Sequence, residues 1–290
     1  MWSEKMELET PYDFDYLLFR LEIDTLNHVD RDNRSISVPL RMNETKHVVK
    51  VTAKGTTTKP LFIIEGHDEG DKNDLLERII DIFAWEEDLH VIGNFFAKTD
   101  LADLFEMYPA TPLIREFDPF HNLMKTIIHQ QLNTAFAETL TARFVKKYGE
   151  KVDGVWFYPT AEQVANIPYQ ELREMQFSTR KAEYVIDTAK KIAANELSLT
   201  DLYNENDQEV MEQLMKIRGI GAWTAQNWLM FSLSRKDLFP ASDIGIRRAL
   251  QHYLQLDKKP TALQAEEWSR AWKPYRSYAT MTLWRSIEET

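Results

Sequence analysis

Two stretches in the C-terminal third of this 290-residue chain combine residue types and spacings that could do chemistry. The first is Leu214-Met-Lys-Ile-Arg-Gly219-Ile-Gly221-Ala-Trp-Thr224-Ala225. A short helix stops at Gly219, which can turn left-handed at little cost, and Gly221 opens a second helix over Ala222–Ser234. Two glycines this close leave backbone N–H groups uncovered at the new helix N-terminus, a place that suits an oxyanion, above all a phosphate. Taken alone, the same pattern also fits a plain tight connection that holds no ligand. The second stretch is Asp237-Leu-Phe-Pro240-Ala-Ser-Asp243, a loop delivering Asp243 to the start of an amphipathic helix that carries Ile246, Ala249, Leu250, Tyr253 and Leu254. A carboxylate there caps the helix, worth ~1 kcal/mol, and the helix terminus favours its ionised form. The seven histidines show no metal-ligand spacing and read as structural or surface residues.

The elements that must position these residues change character along the chain. Phe19–Ile23, Arg34–Val38 and His47–Thr52 alternate or concentrate β-branched residues and read as strands, with turn chemistry at Lys54-Gly55 and His67-Asp-Glu-Gly70. Asp74–Trp85 reads as an amphipathic helix through Leu75, Ile79, Ile82 and Phe83. From about residue 100 the period is helical: Phe120–Lys147 with one break around Gln131-Leu-Asn-Thr134, a capping box at Thr160-Ala-Glu-Gln163, Arg180–Ala194, and a short helix capped by Asp207. A small β-containing domain therefore precedes a larger all-α portion.

Composition narrows the function. With 43% hydrophobic and 28% charged residues the chain has material for folded cores, and its length suggests two or three domains. Zero cysteines exclude a disulfide framework, a cysteine nucleophile, a thiolate zinc site and a cysteine-held iron–sulfur cluster. Trp228–Leu233, the longest apolar run, is too short to cross a bilayer, and the acidic opening Met1–Glu9 resembles no secretory signal, so a cytoplasmic location is expected. Net charge is −11, unevenly spread. Residues 213–285 hold 12 basic and 5 acidic side chains, a net of +7, whereas residues 1–110 hold 12 and 23. Screening erases charge beyond roughly 8 Å at physiological salt, so the basic quarter could hold a duplex despite the acidic total.

The string from Leu214 to Ala225 resembles the helix-hairpin-helix of the DNA glycosylase superfamily, and Pro240-x-x-Asp243 follows it at the spacing of that family's catalytic aspartate. Three further stretches are similar to the alkylation-repair branch, DNA-3-methyladenine glycosylase II: Pro11–Tyr16, Phe120–Ala137 and Trp272–Ala279. The resemblance implies an α+β chain: an N-terminal antiparallel β-sheet domain with helices (1–92), then two all-α subdomains flanking a cleft. Residues 118–235 would carry the helix-hairpin-helix, and 93–117 with 236–290 the catalytic aspartate. Asp243 would face the positive charge that develops on a deoxyribose as its N-glycosidic bond breaks, and could orient or deprotonate the attacking water. Bifunctional members carry a lysine nucleophile at the position occupied here by Trp223, so the resemblance implies a monofunctional enzyme.

Residue by residue, the resemblance places Trp223 and Trp284 in the base pocket, with Phe14 and Tyr16 approaching from the N-terminal domain. Stacking with a cation–π component would recognise cationic alkylated bases there. Leu132 falls at the wedge that fills the gap left by a flipped base, with Gln131 as the polar alternative. Gly219, Gly221, Thr224, Lys216, Arg247 and Arg248 are candidate phosphate contacts; the carbonyls of Met215, Ile217 and Ile220 could bind Na+ or K+, with no other cofactor expected. Two positions depart from the family pattern, Asn227 in place of a pocket tyrosine and Ile244 after the aspartate. The expected function is excision of alkylated purines such as 3-methyladenine and 7-methylguanine from double-stranded DNA by a monomer that associates with the nucleoid and not with membranes. Two alternatives stay open: a glycosylase for oxidised or deaminated bases, and a non-catalytic DNA-binding protein.

Overall fold

The computed structural model describes residues 1–42 and 45–288. Its N-terminal third runs β1 (Trp2–Glu7), α1 (Phe14–Glu22), β2 (His28–Asp30), β3 (Ser35–Met42), β4 (Thr45–Ala53), β5 (Leu61–Gly66) and α2 (Lys72–Ile82). The five strands form one antiparallel sheet in the order β1-β5-β4-β3-β2. Register pairs Ile36 with Val51 and Val38 with Val49, so β-branched side chains at alternating positions fill one buried face.

One expectation for this region changes, and one strand has no expectation attached to it. Phe19–Ile23 is not a strand. Asp13 caps α1 by accepting the Tyr16 N–H at 3.0 Å, and Phe14, Leu17 and Leu18 form the buried stripe of that helix. Trp2–Glu7, an acidic opening by composition, pairs with β5 from Trp2↔Gly66 to Glu7↔Leu61.

The remainder is α3 (Leu89–Phe96), α4 (Ala102–Met107), α5 (Pro119–His129), α6 (Thr134–Tyr148), β6 (Glu150–Val152), β7 (Val155–Phe157), α7 (Ala161–Ala165), α8 (Tyr169–Glu174), α9 (Thr179–Ala193), α10 (Asp207–Met215), α11 (Ala222–Leu233), α12 (Ile244–Tyr253), α13 (Ala262–Ser269) and α14 (Arg276–Glu288). The β6–β7 hairpin interrupts the helical run; its turn residues Asp153 and Gly154 both have positive φ, 48° and 83°, as a tight two-residue turn requires. Asn206, not Asp207, caps α10, because Glu209 reaches back to the Asn206 N–H and completes a capping box. Helices α5 and α11 lie side by side, joined by Asn122 Nδ2 to Ser232 Oγ at 2.7 Å and by Trp228 Nε1 to the Pro119 carbonyl at 2.9 Å. The segment before α5 joins the C-terminal helices: Trp272 Nε1 donates to Asp100 Oδ1 at 2.7 Å and the Tyr253 hydroxyl to the Asp100 carbonyl at 3.0 Å.

Helix α5 also meets the N-terminal sheet unit, through the Lys125–Asp24 ion pair at 2.7 Å. Around that pair burial sets unusual protonation. Burial and the nearby Arg41 hold His121 down to about 4, and burial with the Lys125 ammonium holds His129 down to about 3. Burial pushes the Glu138 carboxyl up to about 7. Between pH 6 and 5 the unfolded chain binds protons at both imidazoles that the folded chain refuses, whereas Glu138 works in the opposite sense. Two imidazoles outweigh one carboxyl, so stability falls on acidification by about 1 kcal/mol per pH unit across that window. Urea unfolding at pH 7, 6 and 5 measures this; a midpoint that holds steady or rises on acidification contradicts it.

Candidate active site

The hairpin between α10 and α11 owes its shape to glycine. Gly219 has a φ of +96°, and a Cβ on it would fall 2.3 Å from the Tyr184 ring. Gly221 caps α11 in extended backbone with no side-chain cap, and a Cβ there would meet nothing within 4 Å. The start of α11 therefore opens outward, with Gly221 and Ala222 exposed. Lys216 and Arg248 are exposed as well.

Two of the candidate phosphate contacts point elsewhere. Thr224 is only 2% exposed, and its hydroxyl accepts the Gln130 amide at 2.8 Å, because the first turn of α11 packs against the end of α5. Arg247 turns toward the Pro260 carbonyl at 3.5 Å with its Nε enclosed.

Gln130 is a residue the sequence did not single out. The same amide nitrogen donates to the Gly219 carbonyl at 2.8 Å, tying the α5–α6 turn to the hairpin. Lys181 braces that turn by donating to the carbonyls of Ile127 and Gln130 at 2.9 and 3.0 Å, and burial lowers its pKa to about 8. At the tip, Gln131 has a φ of +58° and is exposed, whereas Leu132 is half-buried against the core.

Asp243 caps α12, its Oδ1 accepting the Ile246 N–H at 2.9 Å. Two indoles complete its clamp. Trp284 Nε1 donates to Oδ1 at 3.1 Å and Trp223 Nε1 to Oδ2 at 3.0 Å. The three donors come from α12, α14 and α11, so the carboxylate is held where three helices converge. Its half-buried position leaves it within reach of solvent. Gly245 permits the arrangement, since a Cβ there would lie 3.0 Å from Asp243 Oδ1 and 3.2 Å from Trp284 Nε1. Asn227, one turn after Trp223, donates to the Trp223 carbonyl at 2.8 Å and is buried.

The aromatic surroundings differ from the expectation at two residues. Phe14 belongs to the core of the sheet unit, against Phe62 and Phe83 at ring distances of 5.1 and 5.9 Å, because its place on the α1 stripe points it at the sheet. Tyr16 does reach α14, but as a strut: its ring lies 4.0 Å under the Arg285 guanidinium and its hydroxyl donates to Glu288 at 2.9 Å, leaving 4% of it exposed. The residues that accompany Trp284 are instead Phe231, stacked on it at 6.1 Å, and Arg20, whose guanidinium rests 5.7 Å from the Trp284 ring centre. Elsewhere, a cavity of about 320 Å³ lies at the far end of α5, lined by Arg41, Arg78, Asp118 and His121 among others, and takes no part in this constellation.

The geometry therefore presents an immobilised carboxylate, two indoles and an outward-facing helix terminus on neighbouring elements. Such a carboxylate can stabilise a positive charge brought to it and hold a water, at no cost of reorganisation.

Comparison with known proteins is consistent in kind. Residues 124–274 match the HhH-GPD superfamily base excision DNA repair protein family. A Bacillus subtilis (strain 168) protein named "Putative DNA-3-methyladenine glycosylase YfjP" is 48% identical over 99% of this chain and 100% of its own length. A second Bacillus subtilis protein, named DNA-3-methyladenine glycosylase, is 33% identical over 72% of this chain and 75% of its own. The solved 3-methyladenine DNA-glycosylase from Archaeoglobus fulgidus shares the fold, with a TM-score of 0.86 at 22% identity over 100% of this chain and 99% of that one.

Proposed function

The chain belongs to the HhH-GPD superfamily of base excision DNA repair proteins, and from that premise we propose that it is a monofunctional glycosylase that excises alkylated purines from duplex DNA. The observation that carries this reading is the clamp on Asp243, a carboxylate fixed by Trp223, Trp284 and the Ile246 N–H beside the hairpin. As the C1′–N bond breaks, the base leaves with its electron pair and C1′ becomes cationic; Asp243 stabilises that cation, positions the water whose oxygen bonds to C1′ and accepts the proton that water gives up. Trp223 occupies the place where an amine nucleophile would act, so no Schiff base forms and the product is an abasic site.

The open N-terminus of α11, with Lys216 exposed a few residues before it and Arg248 exposed on α12, supports a grip on the phosphate backbone. Gln131 and Leu132, at the turn that Gln130 ties to the hairpin, fill the space left by the extruded nucleotide, and the exposure of Gln131 makes it the outer of the two. The carbonyls of Met215, Ile217 and Ile220 would hold a Na+ or K+ against the same phosphate; that of Ile217 already accepts the Ile220 N–H at 3.0 Å, which fixes its direction. The protein would act as a monomer at the nucleoid. Among the described residues no helix is long and apolar enough to cross a membrane.

The test is incubation with methylated duplex DNA followed by chromatographic identification of the free bases. Release of 3-methyladenine or 7-methylguanine, leaving alkali-labile sites without strand cleavage, is the expected result. Strand cleavage through a borohydride-trappable intermediate contradicts the monofunctional reading. Salt-sensitive binding without release of any base would leave only a DNA-binding module.

A further inference from the structure

Along β4 the buried positions of one face run His47, Val49, Val51: two valines in the closed core and, at the end of the row, an imidazole. The His47 side chain is only 6% exposed, yet its Nε2 has no hydrogen-bond partner. A buried polar atom of that kind costs free energy unless something binds it. The groups that face it belong to the segment joining β5 to α2. Asp71 Oδ2 lies 3.3 Å from Nε2, and an oxygen of Asp68 completes a set of three atoms that all lie within 4.8 Å of one another. Asp71 forgoes a local bond to stand there. It occupies the cap position of α2 but makes no side-chain cap bond, unlike Asp13, Asp88 and Asp118 at the starts of α1, α3 and α5. The segment itself is held in place, since the Asp68 carbonyl accepts the Trp2 indole N–H at 2.6 Å and Asp68 Oδ1 accepts the Gly70 N–H at 2.9 Å. Lys72, the adjoining cation, pairs with Glu4 on β1.

We propose that His47, Asp68 and Asp71 bind a divalent d-block cation of the zinc type, in a site separate from the Asp243 constellation. Two carboxylates and a neutral imidazole bring two negative charges and one nitrogen ligand. That donor set favours such an ion over Mg2+ or Ca2+, whose sites are built from oxygen. Bonds of ~2.0–2.2 Å at a tetrahedral centre put neighbouring ligand atoms about 3.4 Å apart. His47 Nε2 and Asp71 Oδ2 already stand at that separation. Asp68 is exposed, so its side chain can close the distance that remains. Three protein ligands leave the fourth position to water, and the bound ion clasps the start of α2 to the end of β4. No spacing in the sequence reveals the set, because all of β5 lies between the histidine and the two aspartates. The plain alternative is an ordinary contact between His47 and Asp71 beside an exposed acid, an arrangement that gains nothing from zinc.

The experiment titrates the full, tag-free chain, first treated with EDTA, with ZnCl2 and follows binding by calorimetry and by melting curves. One equivalent is expected to bind, and free zinc a hundredfold above Kd raises Tm by about 5 °C. Asp71→Asn, which keeps a helix-capping residue, and Asp68→Asn, at an exposed position, each weaken that binding at least tenfold. Glu69→Gln, an exposed acid between them, leaves it within about twofold of the wild type. His47→Gln abolishes the one-equivalent binding, and the two aspartate variants decide the matter should it fail to fold. Any of three results overturns the proposal: no stoichiometric binding, a Tm shift equally large with MgCl2, or binding that Asp68→Asn and Asp71→Asn weaken no more than Glu69→Gln does. Release of bases from methylated DNA is read separately, so the glycosylase reading stands or falls on its own.

Discussion

Asp243→Asn is expected to reduce base release by about a thousandfold or more while DNA binding survives. A unit charge ~4 Å from a cationic sugar is worth about 4 kcal/mol at the effective dielectric of a half-exposed site, and each 1.36 kcal/mol is tenfold in rate. Asparagine is as good a helix cap as aspartate, so the bond to the Ile246 N–H survives. With the amide oxygen at the Oδ1 position, Trp284 keeps its acceptor and the Trp223 N–H then faces an amide NH2 instead of an acceptor. The cost of that mismatch is ~1–2 kcal/mol, a Tm drop of a few degrees. Single-turnover base release, fluorescence anisotropy on an abasic duplex and a melting curve separate the three effects. Retention of more than about a tenth of wild-type release would show that another group does the chemistry.

Gly219→Ala and Gly221→Ala, two residues apart, are expected to fail in different ways. Alanine at 219 must adopt a φ near +96° and push a methyl into the Tyr184 ring, 2.3 Å away. Left-handed backbone costs roughly 1–2 kcal/mol and overpacking another 1–3, so a loss of several kcal/mol and of DNA affinity together is expected. Alanine at 221 meets no atom within 4 Å and keeps a permitted backbone, so Tm stays within about a degree or two. Its methyl projects from the face where a phosphate would approach, so affinity for duplex falls several-fold with the fold intact. Equal melting temperatures for the two variants would contradict the geometry of the hairpin. Unchanged DNA affinity in Gly221→Ala would remove the hairpin from the binding surface.

What was legible in the sequence was carried by local backbone chemistry. The left-handed stop at Gly219, the helix start after Gly221, the break after α5 and the capping position of Asp243 each follow from a few neighbouring residues. What escaped depends on partners far along the chain. Thr224 looked available because its residue type suits an anion, yet Gln130, 94 positions away, occupies its hydroxyl. The two indole bonds to Asp243 span 20 and 41 positions, and no period in the sequence encodes them. Arg20 was hidden by a wrong period. With Phe19–Ile23 taken as a strand, Tyr16 and Arg20 do not share a face; on α1 they are four apart, and both reach α14. Phe14 failed for the complementary reason, since the helical period that carries Arg20 to α14 carries Phe14, six residues earlier, into the sheet.

The bonding around Asp243 leaves a narrow allowance for catalysis. Two carboxylate oxygens offer about four lone pairs in all. On Oδ1 both are engaged, by the Ile246 N–H and the Trp284 indole, and on Oδ2 one is engaged by the Trp223 indole. Among the described residues a single acceptor direction on Oδ2 stays open. A nucleophile that relies on it can approach the anomeric carbon from one side only, so the freed sugar should emerge first as one anomer, before mutarotation blurs the record.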